Sequence, residues 1–188
     1  MPVFPLDRLY RRRGTTGRFR RSQSGSAAVE FGLLAIPFFA LLFALIETSV
    51  IYFSTANLDS VVADAGRLIR TGQAQSGGMT ESQFKDLICD QMVLISDCKS
   101  NLHVDVRKYS NFGNVQPPSL VDKDGKLITN TVFQPGSAGE IVLVRAYFSW
   151  GVMTPSFIGL SNLEGGGRLI AASAAFRNEP FGSMLPAN

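Results

Sequence analysis

With 188 residues, 45% of them apolar, the chain has room for one small domain plus an anchor, or for one ordinary domain without one. A formal net charge of +3 hides a strong asymmetry, because residues 1–24 hold seven arginines (Arg8, Arg11, Arg12, Arg13, Arg18, Arg20 and Arg21) against a single acid, Asp7. Removing that head leaves 11 bases and 14 acids, a net charge of −3, so the body of the protein is not basic and is not expected to bind nucleic acid.

An arginine-rich head can contact phosphates, but only Tyr10 and Phe19 interleave the arginines here, and an apolar run comes directly after it. In that position positive charge holds the head on the cytoplasmic side of a membrane and sends the C-terminal remainder of the chain outward. From Phe31 to Ile46 there is no charged residue, which is about 24 Å of helix, slightly short of a hydrocarbon core. Counted from Ser26, the run reaches about 31 Å and fits. That count includes Glu30, a carboxylate near the cytoplasmic edge, and puts Glu47 at the opposite edge.

A cleaved secretory signal would end in small residues of the A-x-A type, and Leu45-Ile46-Glu47 after Ala44 does not supply them. Arg20-Arg21 lacks the apolar residue expected soon after a twin-arginine pair, since Ser22-Gln23-Ser24 stands there. A plain signal anchor explains everything except Glu30, whose burial in hydrocarbon is costly unless it snorkels to the interface or meets an opposite charge.

Gly25-Ser26-Ala27-Ala28-Val29-Glu30-Phe31 resembles the processing site of type IV prepilin-like proteins, in which a basic leader ends in glycine and glutamate stands fifth in the mature chain. Val29-Glu30-Phe31, Leu33-Leu34-Ala35-Ile36-Pro37 and Glu47 are similar to the TadE-like family of pseudopilins from bacterial tight-adherence (Flp) pilus systems. The resemblance implies cleavage between Gly25 and Ser26 by a prepilin peptidase, with the apolar helix retained. It further implies pairing of Glu30 with the free amine of a neighbouring subunit, which suits a carboxylate in a low-dielectric setting. Pro37, also part of the resemblance, removes the hydrogen bond to the Leu33 carbonyl and is expected to kink the helix.

Beyond the span, Ile51, Leu58, Val62, Ala65 and Ile69 recur at helical spacing up to Gly72, a helix stop. The stripe predicts one helix over about 26–71 whose outer part packs on the next domain or on a partner helix. A polar linker, Gln73 to Gly78, leads to Thr80-Glu81-Ser82-Gln83, which has the form of a capping box. Phe84, Leu87, Ile88, Met92 and Ile95 then form the apolar face of a second helix.

Leu102, Val104 and Val106 alternate with His103, Asp105 and Arg107, predicting a strand with the latter three on its polar face. Further strands are expected at 140–149 and 168–177. Between them, the loop-rich stretch 110–139 contains Pro117-Pro118 and the turn pair Asp124-Gly125, with 126–128 and 131–133 as candidate short strands. The expected fold is α+β: a long N-terminal transmembrane helix extending into a small domain with one further helix and a mostly antiparallel sheet of three to five strands.

Cys89 and Cys98, nine residues apart, suit a disulfide in an exported domain, with two buried free thiols as the alternative. Catalytic signals are thin. His103 is the only histidine, and Ser82-Gln83-Phe84-Lys85 lacks the companion motifs of a penicillin-binding signature. Asp122-Lys123-Asp124-Gly125 lacks the later ligands of a calcium loop and reads as a turn, while Gly165-Gly166-Gly167 precedes a strand and reads as a flexible loop. We therefore expect no enzyme activity, no metal and no cofactor.

The expected organisation is a basic cytoplasmic leader (1–25), a transmembrane helix (26–47), its periplasmic extension (48–72) and a periplasmic domain (79–188). Ala174-Ala175-Phe176-Arg177-Asn178-Glu179-Pro180-Phe181 is also similar to the closing strand of TadE-type proteins. The resemblance implies a minor pseudopilin of the inner membrane serving an adhesion pilus and biofilm formation. Its partners would be the prepilin peptidase, other pilins and pseudopilins, the inner-membrane assembly platform and membrane lipid. An uncleaved single-pass protein with a periplasmic ligand- or envelope-binding domain is the alternative.

Overall fold

A computed structural model describes residues 24–93, 95, 97–155 and 158–182. The arginines of the head lie outside the described residues. Helix α1 spans Ser24–Arg70 and contains Pro37. Two compact units divide the chain, one ending at Leu42 and one beginning at Phe43.

Within that unit, α1 presents Ile51, Leu58, Val61, Val62, Ala65 and Ile69 to a shared core, while Asp59, Asp64 and Arg67 stay exposed. The predicted stripe is thus the buried one, and it packs on the sheet of its own chain. Fully burying a Leu, Ile or Val contributes about 1.5–3 kcal/mol, so this stripe anchors the helix far more firmly than helix propensity does. Gly66 permits the close approach: a Cβ there would lie 2.9 Å from the Phe176 ring.

Helix α1 stops before Gly72, whose φ of 80° is the left-handed conformation that ends helices at glycine. The Phe181 ring covers this glycine, and the Glu179 amide donates to the Arg70 carbonyl at 2.8 Å, so the C-terminal segment is tied to the end of α1. After a single turn, α2 (Gln73–Ser76), the Gln75 side chain donates through Nε2 to the carbonyls of Ile69, Pro135 and Gly136.

Helix α3 (Glu81–Gln91) begins at the predicted capping box: the Gln83 amide donates to Thr80 Oγ1 at 3.3 Å, and the Thr80 amide donates to Gln83 Oε1 at 2.9 Å. Phe84 and Ile88 are buried. The helix ends before Met92 and Ile95, which pack on the core from outside it and so do not extend its apolar face as predicted. Two tertiary ties explain the early stop: the Val93 amide donates to Asn57 Oδ1 of α1, and Cys89 is bonded to Cys98, the first residue of the short helix α4 (Cys98–Asn101).

Strands β1 (His103–Tyr109), β2 (Ile141–Gly151) and β3 (Gly167–Arg177) form an antiparallel sheet in the order β1-β2-β3. The fold is α+β, as expected. Val104, Val106, Val142, Val144, Ala146, Phe148, Ile170 and Ala172 make the sheet face that shares the core with α1 and α3.

The opposite face of β2 is also covered. Ile141, Leu143, Arg145 and Tyr147 are all buried. Contacts to the connecting stretch 110–140 account for part of this, with Tyr147 Oη donating to the Ile128 carbonyl and Arg145 Nη1 donating to the Pro118 carbonyl. The candidate strands at 126–128 and 131–133 do not form; only isolated bridges, Val121 with Leu127 and Val106 with Phe133, occur there. The backbone groups that would have built a hairpin ladder are partly taken by side chains of β1 and β2.

Candidate functional site

Gly25, Ser26 and Glu30 lie near the N-terminal end of α1, all exposed. Ser26 Oγ donates to Glu30 Oε1 at 2.7 Å, so the residue flanking the expected cleavage point and the expected pairing carboxylate share one helical turn. Around Gly25 there is open space, with nothing within 4 Å of where a Cβ would stand. Val29, Phe31, Leu33, Leu34, Ile36, Phe38 and Leu41 form an exposed apolar surface. By length and composition α1 can cross a membrane, and it is the one such helix among the described residues. It continues through Pro37, whose nitrogen has no hydrogen to offer the Leu33 carbonyl.

Glu47 is placed quite differently from Glu30. It is only 6% exposed and accepts the backbone amides of Met153 at 2.6 Å and Thr154 at 2.9 Å, just past the end of β2. Its position four residues before Ile51 puts it on the buried stripe of α1, and that spacing was the available signal for its burial. What it grips was not legible, because the acceptor and its donors are separated by more than a hundred residues.

The second feature missed from sequence is an ionic cluster on the sheet. Asp105, expected on a polar strand face, is 1% exposed and accepts hydrogen bonds from Arg145 Nη2, Arg107 Nε and the Val132 amide. Burial alone would raise the Asp105 pKa; the bonds from Arg107, Arg145 and Val132 outweigh it and hold the carboxyl below its ordinary value. Burial also pushes the Tyr147 phenol up. The His103 ring lies 5.5 Å from that of Tyr147, half-buried, and burial together with Lys85 lowers its pKa.

The remaining motifs are occupied locally. Asp122 Oδ1 accepts the amides of Asp124 and Lys126, closing the Asp124-Gly125 turn on itself. Ser82 and Lys85 line a surface depression with Glu81, Asp86 and Lys99, in which Lys99 pairs with Asp86 at 2.9 Å. Among the described residues, no group of three His, Cys, Asp or Glu is placed to hold a metal ion. Cys89 and Cys98 form a disulfide with 5.6 Å between their Cα atoms.

Residues 25–67 match the model of the TadE-like protein family. The matched segment begins at Gly25 and takes in Ser26, Glu30, Pro37 and Glu47, while the stretch Ala174 to Phe181, which also carried the resemblance, lies outside it. It covers the apolar half of α1 and most of the stripe that enters the core, and stops short of the sheet. No curated protein and no solved structure matches the chain.

Proposed function

We propose that this TadE-like, pilus-associated protein is a minor pseudopilin, cut by a prepilin peptidase after Gly25 and retained in the inner membrane by α1. The observation that carries the reading is the TadE-like match itself, which starts at Gly25, at the junction of a seven-arginine head and an apolar helix. Glycine suits a cleavage point because its backbone enters a protease cleft without a side chain in the way. Positive charge in the head favours a cytoplasmic leader and a periplasmic sheet domain.

The protein acts by packing, with no chemistry of its own. After cleavage, the amine of Ser26 in one subunit meets Glu30 of a neighbour, giving register to helices assembling beside other pilins and the inner-membrane platform. A kink at Pro37 is tolerated where neighbouring helices re-satisfy the freed carbonyl.

Intact mass and N-terminal sequence of the protein from its native membrane test the proposal. A chain starting at Ser26 supports it. One starting near Met1 identifies an uncleaved anchor, and one starting after Glu47 reduces the helix to an export signal; either overturns it. Glu30→Ala leaves cleavage in place and impairs piliation, and normal pili in that variant remove the pairing role.

A further inference from the structure

Two uncharged stretches of this chain meet at Glu47. One is the apolar run of α1 that ends at Ile46. The other runs from Ser149 to Leu163, the end of β2 and the connection to β3, without a charged residue. Glu47 joins them by accepting the Met153 and Thr154 amides, so the loop is fixed beside the residue where the apolar run stops. At that point Met153 is 91% exposed, next to half-buried Val152, and Ile158 and Leu160 farther along the loop are half-buried. Trp150, half-buried against Phe148 with ring centroids 6.5 Å apart, stands at the same end of β2.

We propose that the segment just past β2, residues 152–155, is a membrane-interface segment, seated among lipid headgroups with Met153 directed into the bilayer surface and Glu47 as the positioning residue. The inference rests on α1 being a membrane span. Met153 is exposed in an uncharged stretch held beside the end of the apolar run, and lipid lies at that depth. Tryptophan favours this depth, where its ring is apolar and its N–H stays wet. The two Glu47 bonds supply what a helix-to-loop strut requires: a buried carboxylate that accepts two backbone amides.

Trp150 is the single tryptophan of this sequence, so the native chain carries its own probe. Reconstituted into phosphatidylcholine vesicles, it is tested with lipids brominated near the headgroup end of the acyl chains. The expected result is co-flotation with vesicles and strong quenching of Trp150. Met153→Asp, a change at an exposed side chain, then weakens quenching at least about twofold while flotation is unchanged. Flotation without quenching, as when the loop docks on another subunit or faces water, overturns the loop's placement and leaves the span intact. Quenching unaffected by Met153→Asp overturns the role of Met153. Failure to float removes the span and this inference with it.

Discussion

Asp105 and Arg145 stand opposite each other in the β1–β2 register, and the guanidinium meets the carboxylate at 2.5 Å with both side chains buried. Arg145 also donates to the Pro118 carbonyl, and Asp105 accepts the Val132 amide, so the pair joins two strands to both ends of the loop that covers them. Removing one partner leaves an uncompensated buried charge. Asp105→Ala is expected to destabilise the domain by about 3–5 kcal/mol, measured by urea unfolding of the detergent-solubilised protein. Replacing both residues by apolar ones of similar volume is expected to cost much less, and an equal loss in the double variant would contradict the role of the unpaired charge.

Acid exposes the same cluster. Because the folded-state pKa of Asp105 is depressed, its contribution is full above the unfolded value, near 3.8, and is lost as pH falls through the lower folded value. His103 works in a higher window. Its folded pKa lies below 6.5, so the unfolded chain takes up the proton first and stability declines as pH drops below 6.5 toward the folded value. Unfolding midpoints measured from pH 8 to pH 3 should therefore fall in two stages. His103→Asn should flatten the upper stage alone.

Glu47 ties α1 to the end of β2, and its loss strands two amides. At about 1.5–3 kcal/mol for a hydrogen bond to a charged group, Glu47→Ala is expected to be strongly destabilising. Glu47→Gln keeps one acceptor oxygen and should lie between that variant and the native protein. Hydrogen exchange at the Met153 and Thr154 amides gives a local readout: protection falls in Glu47→Ala before the β2 core changes.

The Cys89–Cys98 disulfide closes a short loop between α3 and α4, and its removal by Cys89→Ser with Cys98→Ser is expected to cost about 2–3 kcal/mol in the chain-entropy picture. Thermal unfolding with and without reductant checks this. Reductant should lower the midpoint of the native protein to that of the double variant and leave the variant itself unmoved.

What the sequence determined alone was whatever depends on neighbours in the chain. Helical spacing picked out Leu58, Val62, Ala65 and Ile69, all of them buried, and a three-residue offset identified the Thr80/Gln83 cap. The similarity to the TadE-like family from Gly25 onward was legible because it lies in residue order. Tertiary structure decided the rest. Strand alternation put Asp105 on a polar face, but the loop after β1 folds over that face and turns it into an interior where only a paired charge is tolerated. Met92 and Ile95 fit a helical period, yet the tie from Val93 to Asn57 and the disulfide bend the chain away from α3. Glu47 reads as a charge leaving a membrane, and only the fold brings β2 back to give it two amides. Asn57, Arg145, Val132, Met153 and Thr154 all lie far along the chain from the residues they tie, and periodicity carries no information about contacts at that range.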